Sequence, residues 1–189
     1  MQRFVAALVV VSVLSLAMWS PQPAAAQLVP PTRNSVNFNF ATFSPTLFSL
    51  GVNYPLARVW DLTFSYAWQS TAGASASLIS LGGRYHFSLQ GSTISPWVGA
   101  GLGISGASVS GFGSANASGL FLNVGASVPF TPQFLGFADF TMYSIGGGTS
   151  NVIDLGVQFR IQQQFSAQIG YVSFGGSSAP FIGATYHLR

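Results

Sequence analysis

The chain has 189 residues, 49% of them hydrophobic and only 5% charged, with six arginines, three aspartates, no lysine and no glutamate. A water-soluble domain carries charge at about a quarter of its positions, interspersed so that it stays dispersed, and this composition excludes such a surface. The formal charge of +3, to which Arg3 contributes one, reflects a scarcity of acids rather than a basic patch, so nucleic acid is not a partner.

Met1-Gln2-Arg3 gives a positive start, Phe4 to Trp19 an apolar run, and Ala24-Ala25-Ala26 a small-residue site before Gln27. This is the pattern of a secretory signal peptide over 1–26. Pro21 and Pro23 and the short apolar run argue against an uncleaved anchor. The rest, 27–189, reads as one domain in which no apolar run approaches the ~20 residues of a membrane helix. High hydrophobicity without helical spans leaves a β-barrel, the other structure that satisfies every backbone group in lipid. The chain has no cysteine, in keeping with an exported protein that needs no disulfide.

A short pattern, Gly-x-x-Ω-x-Ω with Ω aromatic or aliphatic, recurs from Gly51, Gly82, Gly125, Gly156 and Gly183. Residues two apart point to the same side of a strand, so each copy reads as a strand end with one greasy face. Five equivalent ends imply five hairpins, and the expected fold is an all-β, closed antiparallel up-and-down transmembrane barrel of ten strands. The first strand, 35–43, is the one on which the count turns, since only Ser44-Pro45-Thr46 separates it from the next. If it is a plug or tail, the barrel has eight strands.

Within 59–69, Trp60, Leu62, Phe64, Tyr66 and Trp68 alternate with Asp61, Thr63, Ser65, Ala67 and Gln69, giving a lipid face and a lumen face. The same alternation sets Ile79, Leu81, Tyr85 and Phe87 outward against Ser80, Gly82, Arg84 and His86. It recurs with Ile153, Leu155, Val157, Phe159 and Ile161 against Asp154, Gly156, Gln158 and Arg160, and with Ile182, Ala184, Tyr186 and Leu188 against Gly183, Thr185 and His187. Segment 134–145 fits poorly, because Phe137, Tyr143 and Ile145 share the parity of Asp139; the likeness of Asp139-Phe140-Thr141-Met142 to Asp61-Leu62-Thr63-Phe64 places Asp139 inward. The expected polar lumen is therefore Asp61, Arg84, His86, Asp139, Asp154, Arg160 and His187. Tyr54, Trp60, Tyr66, Trp68, Tyr85 and Tyr186 are expected as an aromatic girdle at the headgroup boundary, with Trp97 turned inward.

Compact turns are expected at 55–58, 90–93, 131–133 and 162–164, and longer Gly/Ser/Ala loops at 70–75, 105–118, 146–150 and 175–179. In bacterial barrels short turns face the periplasm and longer loops the outside, which puts both termini in the periplasm.

Three stretches, Ser80-Leu81-Gly82-Gly83-Arg84-Tyr85-His86-Phe87, Ser95-Pro96-Trp97-Val98-Gly99-Ala100-Gly101-Leu102-Gly103 and Ile182-Gly183-Ala184-Thr185-Tyr186-His187-Leu188, carry a resemblance. With them the chain after Ala26 resembles the small outer-membrane β-barrel family, of the opacity-protein and OmpA-like N-terminal type. The resemblance implies an integral protein of the bacterial outer membrane whose last strand is read by the barrel-assembly machinery. Gly183, Tyr186 and Leu188 keep that signal's spacing, although the chain ends Leu188-Arg189 where the family ends in Phe or Trp. It implies architecture, and function does not follow from fold.

Gly101-Leu102-Gly103-Ile104-Ser105-Gly106 satisfies G-x-G-x-x-G, but a nucleotide fingerprint needs a helix after the glycines. The stripe Gly99, Gly101 and Gly103 reads better as a smooth inner wall against which Phe121 packs. His86-Phe87-Ser88 is similar to the His-x-Ser pair of lipid A deacylases, yet no glutamate is present to orient the histidine. Two histidines and three scattered aspartates give no metal-ligand spacing. The expected role is structural and envelope-stabilising, with a lumen filled by side chains, no catalysis, no cofactor, and partners limited to outer-membrane lipids and the assembly machinery. A narrow porin-like channel or a conduit for small hydrophobic molecules is the alternative, and a lipid A-modifying esterase a remote one.

Overall fold

The computed structural model describes residues 35–188 apart from Gln90, Gly175 and Gly176. Segment 1–26, expected as a signal peptide, lies outside the described residues. Ten strands follow one another: β1 Ser35–Ala41, β2 Leu47–Ala57, β3 Trp60–Thr71, β4 Ala74–His86, β5 Ser95–Val109, β6 Gly113–Pro129, β7 Phe134–Ile145, β8 Gly148–Gln162, β9 Phe165–Phe174 and β10 Ser177–His187. Each pairs antiparallel with its neighbours in sequence, and β1 pairs with β10 to close the barrel. The first segment is thus a strand of the wall, paired along its length with both β2 and β10, and the eight-stranded alternative does not hold. Closure leaves no edge, as an environment without water demands.

The alternation places side chains as the period of two requires. Phe38, Leu50, Trp60, Leu62, Phe64, Leu81, Leu102, Leu122, Phe140, Leu155, Ile169 and Ile182 form an exposed apolar wall all round the barrel. Asp61, Arg84, His86, Asp139 and Asp154 are buried inside it. A continuous apolar exterior around an interior that encloses the charged residues is the inverse of a soluble protein, so the wall faces lipid and the barrel spans a membrane.

Segment 105–118 differs from its expectation. It is not a loop but the far ends of β5 and β6, paired to Val109↔Gly113, with only 110–112 left as the turn. Ser, Ala and Gly carry too little apolar side chain to show a period, yet their N–H and C=O groups need partners as much as any others, and the ladder supplies them. Gly111 and Gly113 take φ of 82° and 93°, which the tight reversal requires. Likewise 146–147 is a two-residue turn with φ of 60° and 79°, the hairpin geometry in which both central residues are left-handed. The longest connection is instead 87–94, at the end of the barrel where Ser35 and His187 lie (the terminus end), so loop length does not separate the two ends.

Candidate functional site in the barrel interior

The interior has two storeys. Toward the terminus end, register sets Asp61 opposite Arg84 and His86 opposite Trp97. His86 Nε2 lies 2.7 Å from Asp61 Oδ2, both side chains enclosed. The Arg84 guanidinium carbon stands 5.3 Å over the Trp97 ring, a cation–π arrangement. Trp97, 1% exposed, donates from Nε1 to Asn123 Oδ1 at 3.1 Å and to Asp139 Oδ2 at 3.2 Å. Asn123 Nδ2 donates to Asp139 Oδ1 at 2.6 Å and to Thr141 Oγ1 at 2.8 Å, and Thr141 donates to Asp139 Oδ1 at 3.0 Å. Asp139 is thus held by three side-chain donors from β5, β6 and its own strand, and with Asp61 it is the acid acting on Arg84.

The opposite arc is built from amides and hydroxyls. Thr185 Oγ1 donates to Asn37 Oδ1 at 2.7 Å, Gln168 donates to Asn39, and Ser166 Oγ pairs with His187 Nε2 at 3.0 Å. Arg160 and His187 are half-buried at the rim. Asp154 lies opposite Asp139 on the next strand, fully enclosed.

Toward the other end the lumen turns apolar. Ala41, Leu47, Ala67, Leu78, Phe121, Phe137, Tyr143, Val152, Val172, Phe174 and Phe181 form one buried cluster, with Phe43 and Ile145 packed on it; Phe137 carries the cluster past Asp139 toward the terminus end. Every strand but β5 contributes a buried member, so the cluster runs around the whole lumen.

The motif glycines explain how side chains reach across. A Cβ built on Gly125 would meet Trp97 Cε2 at 2.6 Å, and one on Gly156 would meet Phe137 Cε1 at 2.9 Å. At Gly82 it would meet Phe121 Cζ at 2.6 Å, and Phe121 also covers Gly101 at 2.6 Å, the packing expected of the inner glycine stripe. At Gly183 it would run into the Asn39 amide, whose Cγ is 2.8 Å away. Four of the five repeated glycines thus clear the floor beneath a side chain, three from the adjacent strand and Gly82 from β6, two strands away.

Of the aromatics expected at the headgroups, Tyr54, Trp60, Tyr85 and Tyr186 sit on the outer wall near the terminus end, Trp60 and Tyr85 with rings 5.1 Å apart. Trp68 stacks near Phe48 at 5.8 Å toward the other end. Tyr66 lies opposite Leu50 and Ile79, within the apolar belt. Tyr171, exposed on β9, was not singled out by sequence, although its alternation with Ile169 marks it. Nor were Asn37, Asn39, Asn123, Thr141, Gln168 and Thr185, whose parity was legible but whose lack of charge gave no chemical flag. Among the described residues no three His, Cys, Asp or Glu side chains converge as a metal site would need.

No family model matches the chain, and no curated protein matches it in sequence. Solved structures do match in fold. A de novo designed transmembrane β-barrel is similar at 12% identity and TM-score 0.50, covering 84% of this chain and 97% of that one. The KdgM porin is similar at 10% identity and TM-score 0.50, covering 82% of this chain and 99% of that one. The N-terminal barrel domain of Pseudomonas aeruginosa OprF has 18% identity and TM-score 0.44, covering 83% and 99%. At these identities the first two show the fold, a small transmembrane β-barrel, and nothing of substrate.

Proposed function

We propose that the chain is an integral protein of the bacterial outer membrane with a structural, envelope-stabilising role, no catalytic activity, and a lumen filled by its own side chains. The observation that carries this reading is a contact across the lumen: Phe137 on β7 and Phe181 on β10, with two strands between them, have ring centroids 6.3 Å apart. Trp97 likewise spans from β5 to Asp139 on β7. A barrel of this size has little free interior, and aromatic rings bridging over glycines take up what there is. Export with cleavage after Ala26 and assembly through Gly183, Tyr186 and Leu188 complete the proposal.

Planar bilayer recording tests it. The purified protein is expected to give no steady conductance. Reproducible ion-selective steps that change in Arg84→Ala would overturn the filled lumen and favour the narrow channel.

A further inference from the structure

Three carboxyl groups lie inside the barrel, and two are matched. Asp61 is paired with His86, and Asp139 accepts from Trp97, Asn123 and Thr141 and acts on Arg84. Asp154 is 0% exposed, and neither of its oxygens has a hydrogen-bond partner among the described residues. Directly opposite it stand Asp139 on β7 and Val172 on β9, an acid and an alkyl chain. On its own strand Val152 and Gly156 share its inward face, and the Phe137 ring lies over Gly156. Thr141, opposite Val152, donates its only hydroxyl proton to Asp139. The other titratable groups on the surrounding walls are Tyr143 on β7, His187 at the rim on β10, and Arg160 on β8; β9 turns none to the lumen. Arg160 is six residues from Asp154, about 20 Å along an extended chain, and cannot serve as its counter-charge.

A buried carboxylate without a donor or counter-charge is strongly disfavoured, and such a group neutralises instead. A second carboxylate directly opposite on the next strand adds repulsion. Even with His86 protonated, the enclosed bases are Arg84 and His86 against three enclosed acids, a shortfall of one positive charge. We propose that Asp154 is a proton-binding site, carried as the neutral acid in the folded barrel at neutral pH so that Asp139 beside it stays ionised. Three side-chain donors hold Asp139 as the carboxylate, so of the facing pair the proton belongs to Asp154. In the unfolded chain Asp154 is an ordinary, ionised aspartate, and folding therefore takes up one proton from the medium. The barrel is thereby pH-sensitive. Above the ordinary aspartate range its stability falls as pH rises, the unfolding constant growing by about tenfold per pH unit until Asp154 ionises within the folded barrel. A carboxylate formed there faces Asp139 beside the Phe137 ring, so alkali loosens the closure of the lumen. The proposal rests on the filled lumen, since a water-filled one would solvate Asp154 as a carboxylate.

Infrared spectroscopy of the purified protein in detergent reads the proton directly, because the C=O stretch of a neutral carboxylic acid stands apart from carboxylate and amide bands. With three aspartates and no glutamate, the only side-chain carboxyls of the chain are Asp61, Asp139 and Asp154. The expected result at neutral pH is one carboxylic-acid band that is absent from Asp154→Asn. Lack of the band in the unmodified protein, or its persistence in Asp154→Asn, would overturn the proposal. Should that variant fail to fold, Asp139→Asn is the reference: the band is expected to remain, and its loss would move the proton to Asp139. Urea unfolding gives a second readout, in which the unfolding constant of the unmodified protein, divided by that of Asp154→Asn, rises with pH; a ratio independent of pH would sink the proposal. Bilayer conductance separates the two failures. A missing band in a barrel that does not conduct removes the proton site alone, whereas a missing band in a conducting barrel removes the filled lumen with it.

Discussion

Phe137 and Phe181 meet inside the barrel although β8 and β9 run between their strands, and at the crossing those two strands carry Gly156 and Gly170. A Cβ on Gly170 would lie 2.8 Å from Phe181 Cε1, and one on Gly156 2.7 Å from the Ile169 carbonyl oxygen. The ring contact and the paired glycines are one device: small residues on the inner wall give room for rings that close the lumen.

Gly156→Ala should therefore destabilise the barrel. The added methyl meets backbone oxygen as well as a ring, and backbone cannot swing away, so overpacking of about 1–3 kcal/mol is expected. Gly83→Ala is the control, since its Cβ would find nothing nearer than the Asp61 carbonyl oxygen at 3.9 Å. Urea unfolding in detergent should separate the two variants. Equal midpoints would show that the inner glycines do not set the packing.

The indole N–H of Trp97 is shared between Asn123 and Asp139, two acceptors on two strands. Trp97→Phe keeps most of the ring volume and its place beside Arg84 but removes the donor. Leaving a charged, enclosed acceptor short of a bond costs about 1–3 kcal/mol or more. Asp139→Asn in the same background measures the coupling. If the double variant loses as much as the sum of the singles, the two residues are energetically independent and the network reading fails.

How much of this was legible in the sequence depends on the storey. Strand 59–69 showed both faces at once, because its inward residues are polar except Ala67 and its outward ones aromatic except Leu62. Strand 134–145 hid its faces: Phe137 on one side of Asp139 and Tyr143 and Ile145 on the other all turn inward with it, so hydrophobicity no longer marks the lipid side. The inward position of Asp139 was readable only by analogy with Asp61. The stretch 105–118 hid its strands for a different reason, having side chains too small to show a period. The amide arc of Asn37, Asn39 and Gln168 was invisible as a site because its role depends on which strands close the barrel, a long-range fact that no local spacing carries.

The lipid wall makes a depth-dependent prediction. Leu122 and Leu155 stand exposed on the outer face of long strands, well inside their ends. Leu122→Arg should cost about 2–4 kcal/mol if that position lies near the bilayer midplane, whereas Leu56→Arg, at the barrel's terminus end beside Arg58, should cost much less. Folding yield and urea midpoint in lipid vesicles read both. Similar losses at the two positions would argue that the wall is not graded by membrane depth.

Phe112, 91% exposed, stands at the turn that joins the longest pair of strands, β5 and β6, at the end opposite the termini. In the orientation expected from the sequence that turn projects outside the cell, and the connection 87–94 faces the periplasm. The chain contains no cysteine, so a single engineered thiol reports its own side without background. Phe112→Cys should react with a membrane-impermeant maleimide on intact cells, and Ser92→Cys only after the outer membrane is permeabilised. Because the two ends of this barrel are not told apart by loop length, the labelling pattern carries the orientation by itself: the reverse pattern would invert the barrel while leaving its fold and its two-storey interior intact.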